Sequence, residues 1–532
     1  LVSINIWIWR FSSGILTALF LPLITSTYTY AKTTGDVELS VGIVQRFGED
    51  PQRQLKLEPT NGDLLKLKFK KQGKDQTLVT ANPVNLEINM AKLSDTKIDE
   101  RVVLGTFRTF EAAEDGAKKW REKGIEVEIA QPERWEVWAK REVYNTPLLR
   151  RLLLQNVQKV GKKLAYIKTN IFKQEPKISW VIGNNRYNRE HLEISSNKNL
   201  IRVRSNKNSQ RAKLYPGRLR VQPNAYGTYT LVNQVPLEKY LRGVVPYEIG
   251  RNAPKASLEA QAVIARTYAL RNVRRFAVDN YELCADTHCQ VYFGITGASS
   301  STDRAIASTR GMVLTYDNKL VDALYSSTTG GVTAFFDDVW NGTQRPYLRP
   351  IIDSHLNIWS LSQKSLADEE NFRKFISLEE GFNESEQRWF RWRRETSMED
   401  ITKGLQKFLK VKNSPFAKFK QINNIVVEKR SKGGRILQLA INTDIGTFHL
   451  HKDEVRSAFA APVSTLFYLQ PLNKGKPGIW GYAFVGGGLG HGVGLSQTGA
   501  QKLAELGWSN DRILKFYYPG TQIQTLNQIA QK

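Results

Sequence analysis

The stretch Leu241–Phe276, LRGVVPYEIGRNAPKASLEAQAVIARTYALRNVRRF, constrains this chain more than any other. Leu258, Ala262, Ala265, Ala269 and Val273 recur at three- and four-residue spacing, which predicts a helix with one apolar face. Asn252 stands where a helix cap is wanted. Pro254 falls in the first turn, where a missing N–H costs little. Ahead of the helix, the apolar run Val244-Val245-Pro246-Tyr247 ends on one carboxylate, Glu248, and Gly250 breaks the run. Glu248 is therefore expected in a turn, among apolar neighbours, before a buried helix. Such surroundings penalise a charged carboxyl and raise its pKa from about 4.3. A carboxyl still protonated near neutral pH is a general acid. The alternative is a Glu that merely faces solvent at a loop.

The 532 residues leave room for two or three domains, and 41% hydrophobic with 24% charged residues describes a globular chain, not a disordered one. The formal charge of +26 points to polyanionic surroundings: nucleic acid, an anionic membrane face or a cell-wall polymer. A solvated basic surface is the plainer account. Zinc-finger spacing, an aromatic RNA-binding signature and a basic zipper are all missing, which argues against a nucleic-acid partner. Residues 1–31 read as a leader: Arg10, an uncharged apolar run from Phe11 to Ile24, then the small-x-small pair Thr29 and Ala31. The run is shorter than the roughly 20 residues of a spanning helix. Trp7 and Trp9 extend it backwards, so an uncleaved anchor, the one route to a membrane association, is the alternative to a cleaved signal peptide. Either way the chain is expected to be exported, to periplasm or cell wall.

Residues 36–90 alternate apolar and polar, as in LKLKFKK from Leu65 to Lys71, the period of strands. Arg101–Ala130 reads strand, a helix capped by Thr109 and stopped at Gly124, then strand. These suggest a small α/β module over 36–140, then a basic helical spacer over 141–189 with Leu148, Leu149, Leu152 and Leu153. From residue 190 to 530 a mixed α/β domain is expected, strand-rich in its amino-terminal part, so the fold class is α+β. Residues 355–435 carry acidic and basic helical pieces around Trp389 and Trp392, for which core packing is the default.

Seven separated stretches carry a resemblance. They are VNQVPLEKYLRGVVPYEIG (Val232–Gly250) with ASLEAQAVIARTYAL (Ala256–Leu270), DTHCQVYFG (Asp286–Gly294), AIASTRGMVLTY (Ala305–Tyr316), YSSTTGGVT (Tyr325–Thr333) with VWNGTQRPYLRPIID (Val339–Asp353), VSTLF (Val463–Phe467), GLGHGVGLSQTGAQKLAELG (Gly488–Gly507) and ILKFYYPGT (Ile513–Thr521). In this order they resemble the stage II sporulation protein D, or amidase-enhancer, family. The Arg101–Ala130 stretch resembles a sporulation-related repeat, a module that binds peptide-stripped glycan; a generic βαβ unit is the alternative. The family resemblance implies a peptidoglycan lytic transglycosylase that cuts between N-acetylmuramic acid and N-acetylglucosamine, preferring peptide-stripped strands. It places the catalytic acid at Glu248 and requires no cofactor for the chemistry. Its partners would be glycan strands and, from the family's other name, an N-acetylmuramoyl-L-alanine amidase. The alternatives are a non-catalytic amidase enhancer and a glycan-binding protein.

Around Glu248, the candidate substrate-binding residues are Arg266, Tyr268, Gln290, Tyr325, Ser327, His491 and Gln497. Arg266 has a buried ion pair as its plainer role. Ser326 and Thr328 offer further hydroxyls, and the glycines around His491 permit close backbone approach. Asp286 is the nearest second carboxylate, with capping of a turn as its simpler role. Cys284 and Cys289, the only two cysteines, flank His288. They are zinc ligands by type, and some members of the resembling family hold zinc at this motif. No His lies in RRFAVDNYEL just upstream, so a structural zinc on Cys284, His288 and Cys289 would need water or a remote His. A disulfide and a reduced core pair are the other readings.

Overall fold

The computed structural model describes residues 36–159, 165–206, 211–412, 414–475 and 478–530; the expected leader over 1–31 lies outside them. The amino-terminal half contributes, in chain order, β1 (Glu38–Phe47), β2 (Leu55–Pro59), β3 (Leu65–Lys71), β4 (Lys74–Thr80), β5 (Val84–Phe107), α1 (Phe110–Arg121), β6 (Val127–Ala130), β7 (Trp135–Ala139), α2 (Pro147–Lys159) and β8 (Tyr166–Ile182). It continues through β9 (Asn185–Arg189), β10 (Leu192–Ser196), β11 (Leu200–Ser205), β12 (Lys213–Pro216), β13 (Arg218–Pro223) and β14 (Tyr229–Pro236). Then come α3 (Leu237–Leu241), α4 (Val245–Glu248), α5 (Lys255–Arg271) and β15 (Leu283–Cys284). The fold is mixed α+β, as the sequence predicts.

The sheets do not divide where composition placed the boundaries. One sheet runs β15-β1-β14-β13-β10-β3-β4, the other β12-β11-β2-β5-β7-β6 with β8 also on β5. In the first, β1 lies antiparallel to β14 from Glu38↔Pro236 to Phe47↔Tyr229, and β3 pairs with β10. In the second, β2 pairs with β11. Residues 36–80 are thus built into the same sheets as residues 192–236, because their buried faces complete one core: Leu39, Val41, Leu65 and Leu67 pack in one cluster with Leu192, Leu219 and Leu231. Among its described residues the 141–189 stretch is helical only over α2. From Tyr166 the chain is strand, with Ile178, Trp180 and Ile182 in the same core as Leu39 and Leu65, and β8 pairs along most of β5.

The βαβ reading at Arg101–Ala130 matches β5, α1 and β6, and Thr109 caps α1 with its hydroxyl on the Ala112 N–H at 3.3 Å. This unit is docked on the rest of the chain. Phe110 meets Trp135 at 5.1 Å between ring centroids, and Trp135 meets Phe276 at 5.2 Å, just beyond α5. Glu111 and Glu114 pair with Arg275 and Arg274 at the same junction.

The predicted helix is α5, and it is buried all round rather than on one face. Leu258, Ala262, Ala265 and Ala269 enter the core of the first sheet, while Ala260, Val263, Ile264 and Tyr268 enter a second core with Leu314, Val493, Leu503 and Leu514. Val273 lies past the helix end, partly buried. Asn252 does not cap it; Pro254 holds the cap position, and its carbonyl accepts from the Ser257 hydroxyl at 2.7 Å. Downstream, Trp392–Ser397, Phe467–Leu472 and Gly481–Gly486 form one small sheet and Ile422–Arg430, Ile436–Thr443 and Gly446–His451 another, around a third core that includes Trp392 and holds Trp389 against it. Among the described residues no helix is long and apolar enough to cross a membrane.

A chain truncated to begin at residue 190 loses β3, β2 and β1, one partner each of β10, β11 and β14. We expect it to recover from expression only as aggregate or as a species without a cooperative thermal transition, measured by circular dichroism against the full chain. A soluble truncation with an unchanged melting temperature contradicts the shared sheets.

Candidate active site

Glu248 closes α4, a single helical turn, and Gly250, at φ +88°, carries the chain away from it in a conformation that favours glycine. The carboxyl sits on the floor of a cleft of about 480 Å³ whose lining includes Tyr268, Tyr325, Ser326, Ser327, His491 and Gln497. One oxygen accepts the Val291 N–H at 2.7 Å; the other receives a long, weak bond from the Gln497 amide at 3.5 Å. The Tyr325 hydroxyl also bonds Glu248. Behind it the Gln290 amide donates to Tyr325 at 3.1 Å, and Tyr240 donates to Gln290 at 3.3 Å. Burial pushes the Glu248 carboxyl above its ordinary range, and the three donors pull the other way without cancelling it.

The expected residues separate by position. Tyr268, Tyr325, Ser327, His491 and Gln497 share the cleft with Glu248, and Gln290 stands one bond behind it. Arg266 does not reach it. Its guanidinium is fully buried and forks onto Glu238 at 2.8 and 2.7 Å, with a third bond to the Met312 carbonyl. His491 is held by the backbone: its Nδ1 accepts the Val493 N–H at 3.0 Å, and its ring stands 5.0 Å from Trp340. Burial, with Arg456 and Arg435 nearby, pushes its pKa down to about 3, so the imidazole is neutral in this site. Asp286 caps a turn, accepting the His288 N–H at 2.9 Å.

Cys284 and Cys289 form a disulfide with Cα atoms 5.6 Å apart. A disulfide has no thiolate to offer a metal, His288 is exposed, and among the described residues no three metal-ligating side chains cluster. The zinc reading therefore does not fit this arrangement, and its physical replacement is covalent. Cys284 is anchored in the first sheet by parallel pairing of β15 with β1, and the bridge ties to it the turn that leads into Val291.

The sequence reading missed the carboxylates that hold the opposite pair of loops. Tyr325–Ser326 and Leu495–Ser496 run parallel, and Leu489 donates to Thr328. Beneath them Glu384 accepts the backbone N–H groups of Thr329, Gly330 and Gly331 at 2.6, 2.8 and 2.9 Å, and also bonds the Ser496 hydroxyl. Asp353 stands beside it, accepting from Tyr517 and Asn383 at 2.7 and 2.9 Å. Burial and the neighbouring Glu384 charge hold Asp353 well above the usual carboxylate range. Glu384 lies in a polar stretch with no local pattern to single it out.

Two outcomes follow from this geometry. In native protein no free thiol should titrate; reduction should release two, with a modest fall in melting temperature. A loop this short yields less than the roughly 3 kcal/mol of a fifteen-residue loop. Tyr325→Phe and Gln497→Leu each remove a donor to the charged carboxyl, so each should move the Glu248 titration midpoint further up, read by carboxyl 13C NMR against Glu248→Gln. A downward movement contradicts the assigned bonds.

Residues 225–316, which include Glu248, Arg266 and both cysteines, match the profile of the Stage II sporulation protein family, and residues 334–494 match a domain of unknown function, DUF8618. The chain is 30% identical over 302 residues to the amidase enhancer of Bacillus subtilis, covering 53% of this chain and 40% of that protein. It is 26% identical over 335 residues to the stage II sporulation protein D of the same organism, covering 59% of this chain and 83% of that protein. An uncharacterized protein of Brachyspira hyodysenteriae matches at 26% over 313 residues, 57% of this chain and 71% of the relative. The match to the amidase enhancer thus spans well under half of that relative. Over residues 225–316, with Glu248 among them, the chain thus matches the Stage II sporulation protein family, and it is similar to the amidase enhancer and the stage II sporulation protein D of Bacillus subtilis.

Proposed function

We propose that the chain is an exported cell-wall enzyme, a lytic transglycosylase that cleaves peptidoglycan glycan between N-acetylmuramic acid and N-acetylglucosamine. The observation that carries this reading is a carboxyl whose protonated form burial favours, lining a cleft of about 480 Å³. Hydrolysis by a glycosidase uses two carboxyls, one of them a base or nucleophile. The other acids that line this cleft, Glu111 and Asp453, are each engaged by arginine: Glu111 by Arg275, Asp453 by Arg108 and Arg456.

One carboxyl suffices if water is not the nucleophile. Glu248 gives its proton to the glycosidic oxygen as the bond from C1 of the muramic residue breaks. The C6 hydroxyl of that same residue then bonds to C1, and its proton passes to the Glu248 carboxylate. The products are a free 4-hydroxyl and a 1,6-anhydro end, and Glu248 is again protonated. Val291, Tyr325 and Gln497 stabilise the carboxylate between the two transfers. Tyr268 and Ser327 supply wall and hydroxyl for the sugars. The name of the amidase-enhancer relative supports a second reading, in which the chain assists a partner amidase without cutting glycan.

Glu248→Gln should lower turnover of peptide-stripped glycan by about 10²–10⁴-fold or more. Mass spectrometry of wild-type digests should show anhydro ends. Because the folded state binds the Glu248 proton more tightly than the unfolded chain, stability falls as pH rises through the raised pKa. The Gln variant, which cannot ionise, should therefore melt no lower than wild type at neutral pH. Activity within threefold of wild type removes Glu248 from the role. Unchanged strands, with a partner amidase accelerated, favour the enhancer reading.

A further inference from the structure

Arginines from remote segments meet at the cleft. Arg108 lies in the turn between β5 and α1, and Arg456 in the short helix Glu454–Ala458. Both converge on Asp453. Arg456 forks onto its carboxylate at 2.9 and 3.2 Å; Arg108 reaches it at 3.3 Å and its backbone carbonyl at 2.6 Å. One carboxylate between two guanidiniums leaves a positive charge uncompensated. The exposures are unequal in the same sense: the Arg108 and Arg456 side chains keep 40% and 28% of their surface open, Asp453 only 7%. Both arginine side chains are thus more open than the carboxylate between them, and all three line the cleft. Burial, opposed by Asp453 and Glu454 and reinforced by Arg456 and Arg134, lowers the Arg108 pKa. In the same cleft the Ser326 hydroxyl is buried and has no hydrogen-bond partner among the described residues. Arg108 lies outside both segments matched to protein families.

We propose that Arg108 and Arg456 form a carboxylate-binding subsite that reads the lactyl carboxylate of a peptide-free muramic acid residue. The inference rests on the glycan-cleaving reading and deepens it. While a stem peptide is attached, that carbon is an uncharged amide, so two guanidiniums gain a charge-assisted partner only after the amide is cut. The reaction that must supply this substrate is hydrolysis of the lactyl amide. The preference would then be set where the turn before α1 meets the short helix Glu454–Ala458, not by Glu248 and its immediate partners.

The test uses the full chain carrying Glu248→Gln and two probes, a glycan tetrasaccharide with free lactyl carboxylates and the same fragment with lactyl methylamides, with binding followed by calorimetry. The acid fragment should bind about tenfold tighter or more, a difference that shrinks with added salt. Adding Arg108→Gln, Arg456→Gln and Asp453→Asn together leaves the trio neutral. It should bring the acid fragment down to the level of the amide and leave the amide within about twofold. A structural role alone would lower the melting temperature and weaken both probes equally; that result, or equal binding of the two probes by the parent protein, overturns the subsite. Cleavage of both fragments by the wild-type chain at equal rates overturns the subsite but keeps the glycan-cleaving reading. Binding that discriminates as expected, without any cleavage by wild type, overturns that reading but keeps the subsite.

Discussion

Everything in the molecule leans on a helix that water does not reach. α5 separates two hydrophobic cores, so nearly every residue from Ser257 to Leu270 is buried and each polar group on it needs a partner inside the protein. Arg266 answers with its fork to Glu238 and a bond to Met312, and Thr267 bonds Val263 while receiving the Leu314 N–H. Gln261 is the exception, with neither amide atom bonded among the described residues. A buried ion pair is costly to desolvate and costlier still to break, about 3–5 kcal/mol when one partner is removed. Its value here is positional. Glu238 belongs to α3, so the pair fixes the short helices that end at Glu248 against the helix that follows.

The cleft contrasts two treatments of a buried carboxyl. Glu248 accepts the Val291 N–H at 2.7 Å and a long bond from Gln497, and burial outweighs its donors, so its pKa is raised. Glu384 is saturated by three backbone N–H groups and two hydroxyls and serves as the staple of the loops around it. Burial is common to both; the number of donors separates the acid that lines the cleft from the one that holds the loops together.

The sequence made the centre legible and the periphery misleading. Glu248 before a buried helix, the strand alternation at Leu65–Lys71, the Thr109 cap and the βαβ unit are local patterns, and local patterns are what spacing reports. Arg266 looked like a candidate ligand because its motif matched; only the fold shows Glu238 beside it. The CxxxxC pair with an intervening His left metal and disulfide open, since spacing alone does not say whether the sulfurs meet. The pairing of residues 36–80 with residues 192–236 was hidden for a different reason. Strand periodicity shows that a strand exists, not which strand it pairs with, and β1 pairs across almost the whole amino-terminal half. Glu384 had no pattern at all.

That pairing also bears on how the chain comes into being. β1 lies between β15 and β14 in its sheet, yet Glu38 finds Pro236 only after the intervening chain has been made. At about 5–20 residues per second, β1 waits on the order of ten to forty seconds for its neighbour to emerge. Contacts this far apart are slow to form because the loop between them must first be closed. During that interval its apolar face, Leu39, Val41 and Phe47, has no native cover. The topology therefore favours late, concerted assembly over growth from the amino terminus, and a nascent chain of this kind depends on being kept apart from its copies until α5 has arrived.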